Sequence, residues 1–500
     1  MSNPFQHRTG YHQLLSPRAI ILVLASSVIL SVLMSWKGLP VAGALIVLPV
    51  FLVYFTLLIN KPQLGLYFAI GFGFVILGLT RYITFPFPIG LLMDATLLLT
   101  FFALFVQKFS TRVDFKPANK DITWLSIIWL AYLLIQVANP EARSIEAWFA
   151  SFRPMGLYTL LFVVLTLLFI QTPERLKTIF LIWGIFSILA TIKGIIQLYI
   201  GVDPFEKAWL DGGGSLTHIL FGKLRIFSFY SDAGQFGANQ GYTGVVFSIL
   251  AFATKNRRQK IFYIIVALLG FYGMLISGTR GAIAVPFAGF ALYIVHRKNL
   301  AIMMTGFIFA LIIFAFFKFT SIGNGVYMIN RMRTAFNPED ASLMVRLENQ
   351  RKLSVYMATR PIGGGLGHGG IKAQKYLPNA LLSNIATDSW YVLIWVELGI
   401  VGLIMHLFIQ FYILIKGSYY LMFQLRDPVL ISQASAFTAG MMGIMLASYA
   451  NAVIGQYPTS PLIYIGMAII LSTPTIDKNI RVKKRKESFA RKYRKSILQN

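Results

Sequence analysis

Apolar runs of roughly 17–25 residues, the length a helix needs to cross a bilayer, recur from one end of the chain to the other. Centred on 19–36, 40–60, 64–80, 90–107, 122–138, 155–171, 178–200, 240–254, 261–277, 281–295, 300–318, 389–415, 428–450 and 459–473, they predict an all-α, polytopic membrane protein with about 12–14 spanning helices. The runs at 240–254 and 281–295 are short, which sets the lower end of that range. The first run is of spanning length and follows a polar, basic leader, so it reads as a helix and not as a cleavable signal.

The polar connections supply an orientation. Lys61, the stretch Lys108 to Lys120, Arg175 and Lys177, Lys255 to Lys260, Arg297 and Lys298, Lys416 and Arg426, and the ten Lys and Arg between Lys478 and Lys495 all fall on one side. Basic residues that flank spans stay in the cytoplasm, so that side is cytoplasmic, and an even number of spans puts both termini there. The layout is then a cytoplasmic N-terminus (1–18), membrane helices (19–318) with an outer loop at 202–240, a large outer loop (319–388), further membrane helices (389–473) and a basic cytoplasmic tail (474–500). Long loops in a compact protein are usually functional or disordered. The larger one, between the eleventh and twelfth spans, mixes charge, Gly and apolar residues throughout, which predicts a partly helical loop domain with a helix near Leu343 to Ala358.

Composition agrees with this class. The chain is 56% hydrophobic and 13% charged, about half the charge of an ordinary soluble protein. Most of the net charge of +27 follows from topology, and the basic tail suits orientation or anionic lipid headgroups and not nucleic acid. There is no cysteine, and the six histidines are scattered without ligand spacing, so no disulfide, metal site or other cofactor is expected.

Topology leaves five arginines unexplained: Arg143, Arg153, Arg225, Arg280 and Arg346 lie on the outer side, which is normally poor in basic residues. Four segments with candidate chemistry surround them. Ser277-Gly278-Thr279-Arg280-Gly281-Ala282 is a tight outer turn whose glycines leave N–H groups free near a helix N-terminus, a setting for phosphate or for a simple interfacial anchor. Arg225 opens a polar, Gly-rich return into the membrane with Asp232, Gln235, Asn239 and Gln240, which costs free energy unless those side chains face a cavity. Arg346 begins a basic stretch ending in Pro361-Ile362-Gly363-Gly364-Gly365-Leu366-Gly367-His368-Gly369-Gly370, a loop that could wrap a sugar or pyrophosphate, hinge over substrate, or simply turn. Asp388 and Ser389 stand at the outer mouth of the twelfth span, nine residues (Trp390 to Leu398) before Gly399-Ile400-Val401-Gly402, and Asp388 is either a base or a structural ion-pair partner.

The order of SGTRGA at 277–282, PIGGGLGHGG at 361–370 and the polar pair before Gly399-Ile400-Val401-Gly402, with the arginine segment at 225 upstream, resembles the O-antigen ligase and O-antigen polymerase superfamily over roughly residues 150–450. The resemblance implies a bacterial inner-membrane glycosyltransferase that works at the periplasmic face on glycans carried by undecaprenyl diphosphate, without a metal and with inversion. Its partners would be the lipid-linked oligosaccharide donor, a glycan or lipid acceptor and the bilayer. Carried onto this chain, it implies Arg225 and Arg280 at the diphosphate, with Arg346, Arg153, Arg143, Gly365 and Gly367 assisting substrate binding, and Asp388 or His368 as base. Ligases of the family carry a His where Asp388 stands, which shifts the implied reaction toward polymerisation of repeat units and away from ligation to lipid A-core. A transporter or flippase is the competing reading, but it predicts two repeated halves and midplane charges. No clear repeat is present, and the intramembrane candidates are Asp94, Lys193 and Glu397.

Overall fold

The computed structural model describes residues 27–28, 31–32, 35, 39–84, 87–106, 114–220, 222–325, 327–334 and 341–497. The expected N-terminal segment 1–18 and most of the first run, 19–36, lie outside the described residues. The chain divides into two units, Met1–Pro62 and Gln63–Asn500. The first contains helix α1 (Leu39–Asn60).

In the second unit α2 (Gln63–Leu79), α3 (Gly90–Val106) and α4 (Asp121–Ile135) are followed by α5 (Ile145–Phe152), which runs through a π turn at Arg153–Leu157 into α6 (Tyr158–Phe169). After α7 (Pro173–Tyr199) the first long connection folds as α8 (Pro204–Trp209), α9 (Ser215–His218) and a small antiparallel pair, β1 (Ile219–Leu220) and β2 (Lys223–Leu224). Then come α10 (Ala233–Ala253), α11 (Arg257–Ile276), α12 (Ala284–His296) and α13 (Leu300–Phe319). The second long connection carries α14 (Tyr327–Arg333) and α15 (Ala341–Met357), and α16 (Trp390–Tyr419), α17 (Pro428–Ala447) and α18 (Thr459–Ile497) complete the chain. Among the described residues, 7 helical stretches are long and apolar enough to cross a membrane, and shorter apolar helices lie at Phe51–Asn60, Gln63–Leu79, Gly90–Val106, Arg280–His296 and Met303–Phe319. The protein is a polytopic membrane protein of the all-α class, with one two-residue β pair among the described residues.

Helix α10 is the central element. Every position from Ala233 to Phe247 is buried, and the helix packs on both α11 and α17. Small residues make this approach feasible: a methyl group on Gly270 would lie 2.9 Å from the Gln240 carbonyl oxygen across the α10–α11 contact. The polar residues of α10 do not line an open cavity, as the sequence suggested, but tie helices together. Gln235 donates to the Ala452 and Val453 carbonyls (3.2 and 2.9 Å), Asn239 donates to Thr459 Oγ1 (3.1 Å), and Gln240 accepts from the Ser187 hydroxyl (2.8 Å). Burying them is tolerable because each is paired.

Helix α16 differs from the single span expected at 389–415. In one straight helix residues 390 and 406 would stand about 24 Å apart. Here the Trp390 indole N–H donates to His406 Nε2 at 2.8 Å, and the Tyr391 hydroxyl donates to Gln410 Oε1 at 3.2 Å. The chain therefore reverses within α16, and the reversal is at Gly399, whose φ of 70° and ψ of −173° leave the helical region. A short arm, 390–398, folds back against the crossing segment that follows.

The three intramembrane charges all have structural partners. Asp94 accepts from Arg153 and the Tyr158 hydroxyl. Lys193 pairs with Asp203 (2.7 Å) and Glu206 (3.1 Å), and Glu397 accepts from the Gly369 N–H at 3.2 Å. At the opposite end α18 continues as helix through most of the basic tail, where Lys484 pairs with Asp427 at 2.8 Å.

Candidate functional site

The turn at 277–282 is rigid because its own side chains close it. Ser277 Oγ donates to the Met274 carbonyl (2.7 Å) and accepts from the Thr279 N–H (3.1 Å), while Thr279 Oγ1 donates to the Ala233 carbonyl (2.8 Å) at the start of α10. Gly278 has φ of 60°, and its carbonyl accepts from Arg331 Nε at 2.7 Å, which fastens α14 over the turn. A methyl on Gly281 would lie 2.6 Å from Asn451 Nδ2, so the turn also abuts the connection after α17. Arg280 follows directly, half-buried, with Nη1 donating to Thr334 Oγ1 at 3.3 Å.

Arg225 lies in the first long connection. Its N–H donates to the His218 carbonyl (2.8 Å), which closes the small hairpin. The segment beyond it is clamped by Arg81, a buried residue whose guanidinium donates to the Ser228 carbonyl (2.7 Å) and the Tyr230 carbonyl and lies over the Phe227 ring. Asp232 then caps α10, accepting from the Gln235 N–H at 2.9 Å and from the Ser231 hydroxyl at 2.7 Å. Burial alone would raise the Asp232 carboxyl, but Lys372, the two hydrogen bonds and Arg225 outweigh it and hold the group below the usual carboxylate range. A methyl on Gly234 would lie 3.3 Å from Asn451 Oδ1, so Asn451 stands between the Asp232 and Arg280 sides.

Asp388 borders this region from the third direction. It has a left-handed backbone (φ 48°), uncommon outside glycine and a feature that clusters at functional sites. Its exposed carboxylate pairs with Arg346 Nε at 3.3 Å. The two residues after it are fixed to the end of α17: the Trp390 N–H donates to the Ser448 carbonyl (2.9 Å), and the Ser389 hydroxyl donates to the same oxygen (3.4 Å). Helix α15, which carries Arg346, is seated by Asn349 donating to the Ala386 carbonyl (3.2 Å) and by Leu353 packing with Leu382, Val392 and Val396. Thus the turn at 448–451 supports Asp388 on one side and Arg280 on the other.

The glycine loop has a different role from the open, substrate-wrapping hinge its composition suggested. Residues 363–370 are all buried. The reversal at Gly399 frees the carbonyls that precede it, and the loop satisfies them: the Gly364 N–H donates to Val396 (2.8 Å), the Gly365 N–H to Glu397 (3.2 Å), and the Tyr132 hydroxyl to Leu398 (2.7 Å). Gly365 and Gly367, with φ of 101° and 82°, are packed against Ala142 and Ala147, so their backbones belong to this lock and present no open cradle. His368 is also committed. Its Nδ1 lies 3.0 Å from the Leu366 carbonyl and Nε2 accepts from the Arg143 N–H at 2.8 Å, an arrangement that requires the Nδ1–H tautomer. Arg143 therefore works through its backbone while its side chain is exposed, and Arg153 is spent on Asp94 within the bundle.

The comparisons with known proteins fall on this geometry. Residues 264–407 match the family model described as O-antigen ligase, a stretch that contains Arg280, Arg346, the glycine loop, Asp388 and the reversal at Gly399. A protein named O-antigen polymerase, from Salmonella muenchen, is 26% identical over 339 residues, covering 64% of this chain and 81% of that protein. Both matches support a likeness of the chain to the O-antigen ligase and polymerase superfamily. They indicate a membrane enzyme of the glycan ligase or polymerase type.

The structure links Asp388, its partner Arg346 and the Arg280 turn through the residues 448–451, leaves Arg225 on the hairpin before Asp232, and engages His368, Gly365, Gly367, Arg143 and Arg153 in backbone packing, hydrogen bonds or an ion pair. The sequence reading missed Lys372, Asn451 and Arg81. Arg81 was open to the reasoning that singled out the other arginines, since it follows the third apolar run and would be expected on the same side. No spacing signal marks Asn451.

His368 gives a pH test. Burial lowers its pKa below the ordinary value, and the neighbouring Arg143 acts in the same direction. The folded state therefore binds this proton less readily than the unfolded chain, so the contribution of His368 is complete above about pH 6.5 and is lost as pH falls below it, by up to about 1.4 kcal/mol per pH unit. His368→Gln, which retains an acceptor for the Arg143 N–H, is expected to flatten the acid side of the thermal-unfolding profile and keep transferase activity. A folded His368→Gln protein without activity would return the base role to the imidazole.

Proposed function

We propose that the protein lengthens a surface polysaccharide at its loop-bearing face by moving a glycan from undecaprenyl diphosphate to a hydroxyl of an incoming repeat unit. The observation that carries this reading is the shared support at 448–451, which sets a carboxylate–guanidinium pair, Asp388 and Arg346, beside the turn that presents Arg280. The acceptor oxygen attacks the anomeric carbon, its proton passes to Asp388, and the bond to the diphosphate oxygen breaks with the electron pair leaving on the lipid diphosphate. Displacement from the opposite face inverts the anomeric centre. Arg280 and Arg225 stabilise the departing charge, a task for which planar, permanently charged guanidinium groups suit phosphate oxygens without a metal. Asp388 is favoured over His368 because its carboxylate is exposed, whereas both imidazole nitrogens are engaged. The polymerase relative and the Asp at the position where ligases carry His support polymerisation over ligation.

The test is the glycan profile of a deletion strain. Single repeat units on lipid A-core are the expected result, whereas accumulated long lipid-linked polymer would assign ligation and an unchanged profile would overturn both. Complementation with Asp388→Asn at normal membrane level is expected to leave the deletion pattern in place. Wild-type chain length from that variant removes Asp388 from the reaction.

A further inference from the structure

The strap between Arg225 and α10 is held along its backbone by groups distant in sequence. At its start the Arg225 N–H donates to the His218 carbonyl (2.8 Å), and near its end the Ser231 carbonyl faces His218 Nε2 at 3.1 Å. Between them Gln197 Oε1, on α7, accepts from the Phe227 and Ser228 N–H groups (3.3 and 2.8 Å). Arg81, after α2, donates to the Ser228 carbonyl at 2.7 Å and to the Tyr230 carbonyl. Where the strap enters α10, the Ala233 carbonyl accepts from Thr279 Oγ1 at 2.8 Å. One end of the strap therefore carries Arg225, and the other is bonded to the residue before Arg280.

Ser228, at the bend of the strap, is buried and has φ of 51°. A left-handed residue other than glycine costs about 1–2 kcal/mol and persists only where its surroundings over-determine it. Here they do: besides the bonds to its N–H and carbonyl, its hydroxyl donates to the Ala190 carbonyl at 2.6 Å. A methyl on Gly78 would lie 3.1 Å from the Phe229 carbonyl oxygen, so α2 presses on the same bend. Arg81 is the hub. It is 8% exposed, its fork spans two strap carbonyls, and it lies 4.3 Å from the Phe227 ring centroid and 4.7 Å from that of Trp209. Among the described residues it makes no ion pair, so its guanidinium is committed to the backbone of the strap. Lysine has neither the fork nor the planar face for this task.

We propose that Arg81 is a positioning residue: it holds the Ser228 bend and so sets Arg225 relative to the Arg280 turn before the diphosphate departs. This rests on the reading above of Arg225 as a group that stabilises the departing diphosphate. Glycan transfer by the full-length protein in lipid vesicles, with lipid-linked repeat units extracted from the deletion strain, tests it. Arg81→Lys is expected to lower kcat on the order of 10- to 100-fold, the scale of a misplacement of about 1 Å, and to change KM only a few-fold, because the aim matters most for charge that develops as the bond breaks. In an Arg225→Lys background the same change should cost no more than a few-fold further, since there is no longer a guanidinium to aim. An equal loss on both backgrounds makes Arg81 a structural residue and overturns the proposal. Should Arg81→Lys fail to fold, judged by thermal unfolding in detergent, Ser228→Gly decides. Glycine accepts the left-handed backbone but drops the anchor to Ala190, so this variant should fold and show the same dependence on Arg225. Wild-type kcat in folded Arg81→Lys or Ser228→Gly protein also overturns the positioning role, while a loss in Arg225→Lys alone keeps the diphosphate reading. If Arg225→Lys transfers glycan as the wild type does, that reading of Arg225 fails instead.

Discussion

Arg280→Lys is expected to lower glycan transfer on the order of 10²–10³-fold at equal membrane abundance, although the charge is conserved. The loss should be chemical and not structural. The turn is held by Ser277, Thr279 and the Gly278 carbonyl, and Arg280 donates to Thr334 at 3.3 Å from its half-buried position. Lysine can supply the positive charge but not two parallel N–H groups aimed at two phosphate oxygens. Thr334→Ala separates the alternatives. If it costs as much as Arg280→Lys, then Arg280 acts by securing α14; if it is near wild type, the guanidinium acts on substrate. Radiolabelled glycan transfer in vesicles measures both, and full activity in Arg280→Lys would remove Arg280 from the diphosphate.

The helices were legible because they follow from a local rule, apolar length, and the arginines were singled out by the expected sidedness of Lys and Arg. The glycine loop was not. A run of glycines is written the same way whether it swings over a substrate or lets backbone press against backbone, and only its partner distinguishes the two. That partner is the 396–398 carbonyl row, exposed by one left-handed residue at Gly399 inside an otherwise continuous apolar run, and hydropathy does not register a single backbone angle. The same limit explains His368, whose acceptor role depends on the Arg143 N–H, distant in sequence. It also explains the polar face of α10: polar groups in a span signal either a cavity or interhelical hydrogen bonds, and choosing between them requires Thr459, Ser187 and the 452–453 carbonyls in place.

Gly399→Ala is expected to remove the folded protein before any question of catalysis arises. A methyl there would fall well inside 3.0 Å of the Pro361 carbonyl oxygen, a backbone atom with no flexible end to yield, and alanine would also have to hold φ at 70°. The backbone term costs about 1–2 kcal/mol and the overlap about 1–3 kcal/mol. Together they amount to about 2–5 kcal/mol, a large share of the roughly 5–15 kcal/mol that holds a typical protein folded. The damage would not stay local. Opening the reversal releases the carbonyls that Gly364, Gly365 and Tyr132 satisfy, and the 390–398 arm that seats α15, and with it Arg346, loses its support. Gly363→Ala should fail in the same way, because a methyl there meets the Glu397 carbonyl from the other side at φ of 96°. Gly212→Ala is the control: its added methyl has nothing within 4 Å, and it should leave yield and unfolding temperature unchanged. Monodisperse yield in detergent and thermal unfolding measure all three. Well-folded Gly399→Ala and Gly363→Ala proteins would mean that the loop can part from the helix, and the hinge would again be the better description of Gly363 to Gly370.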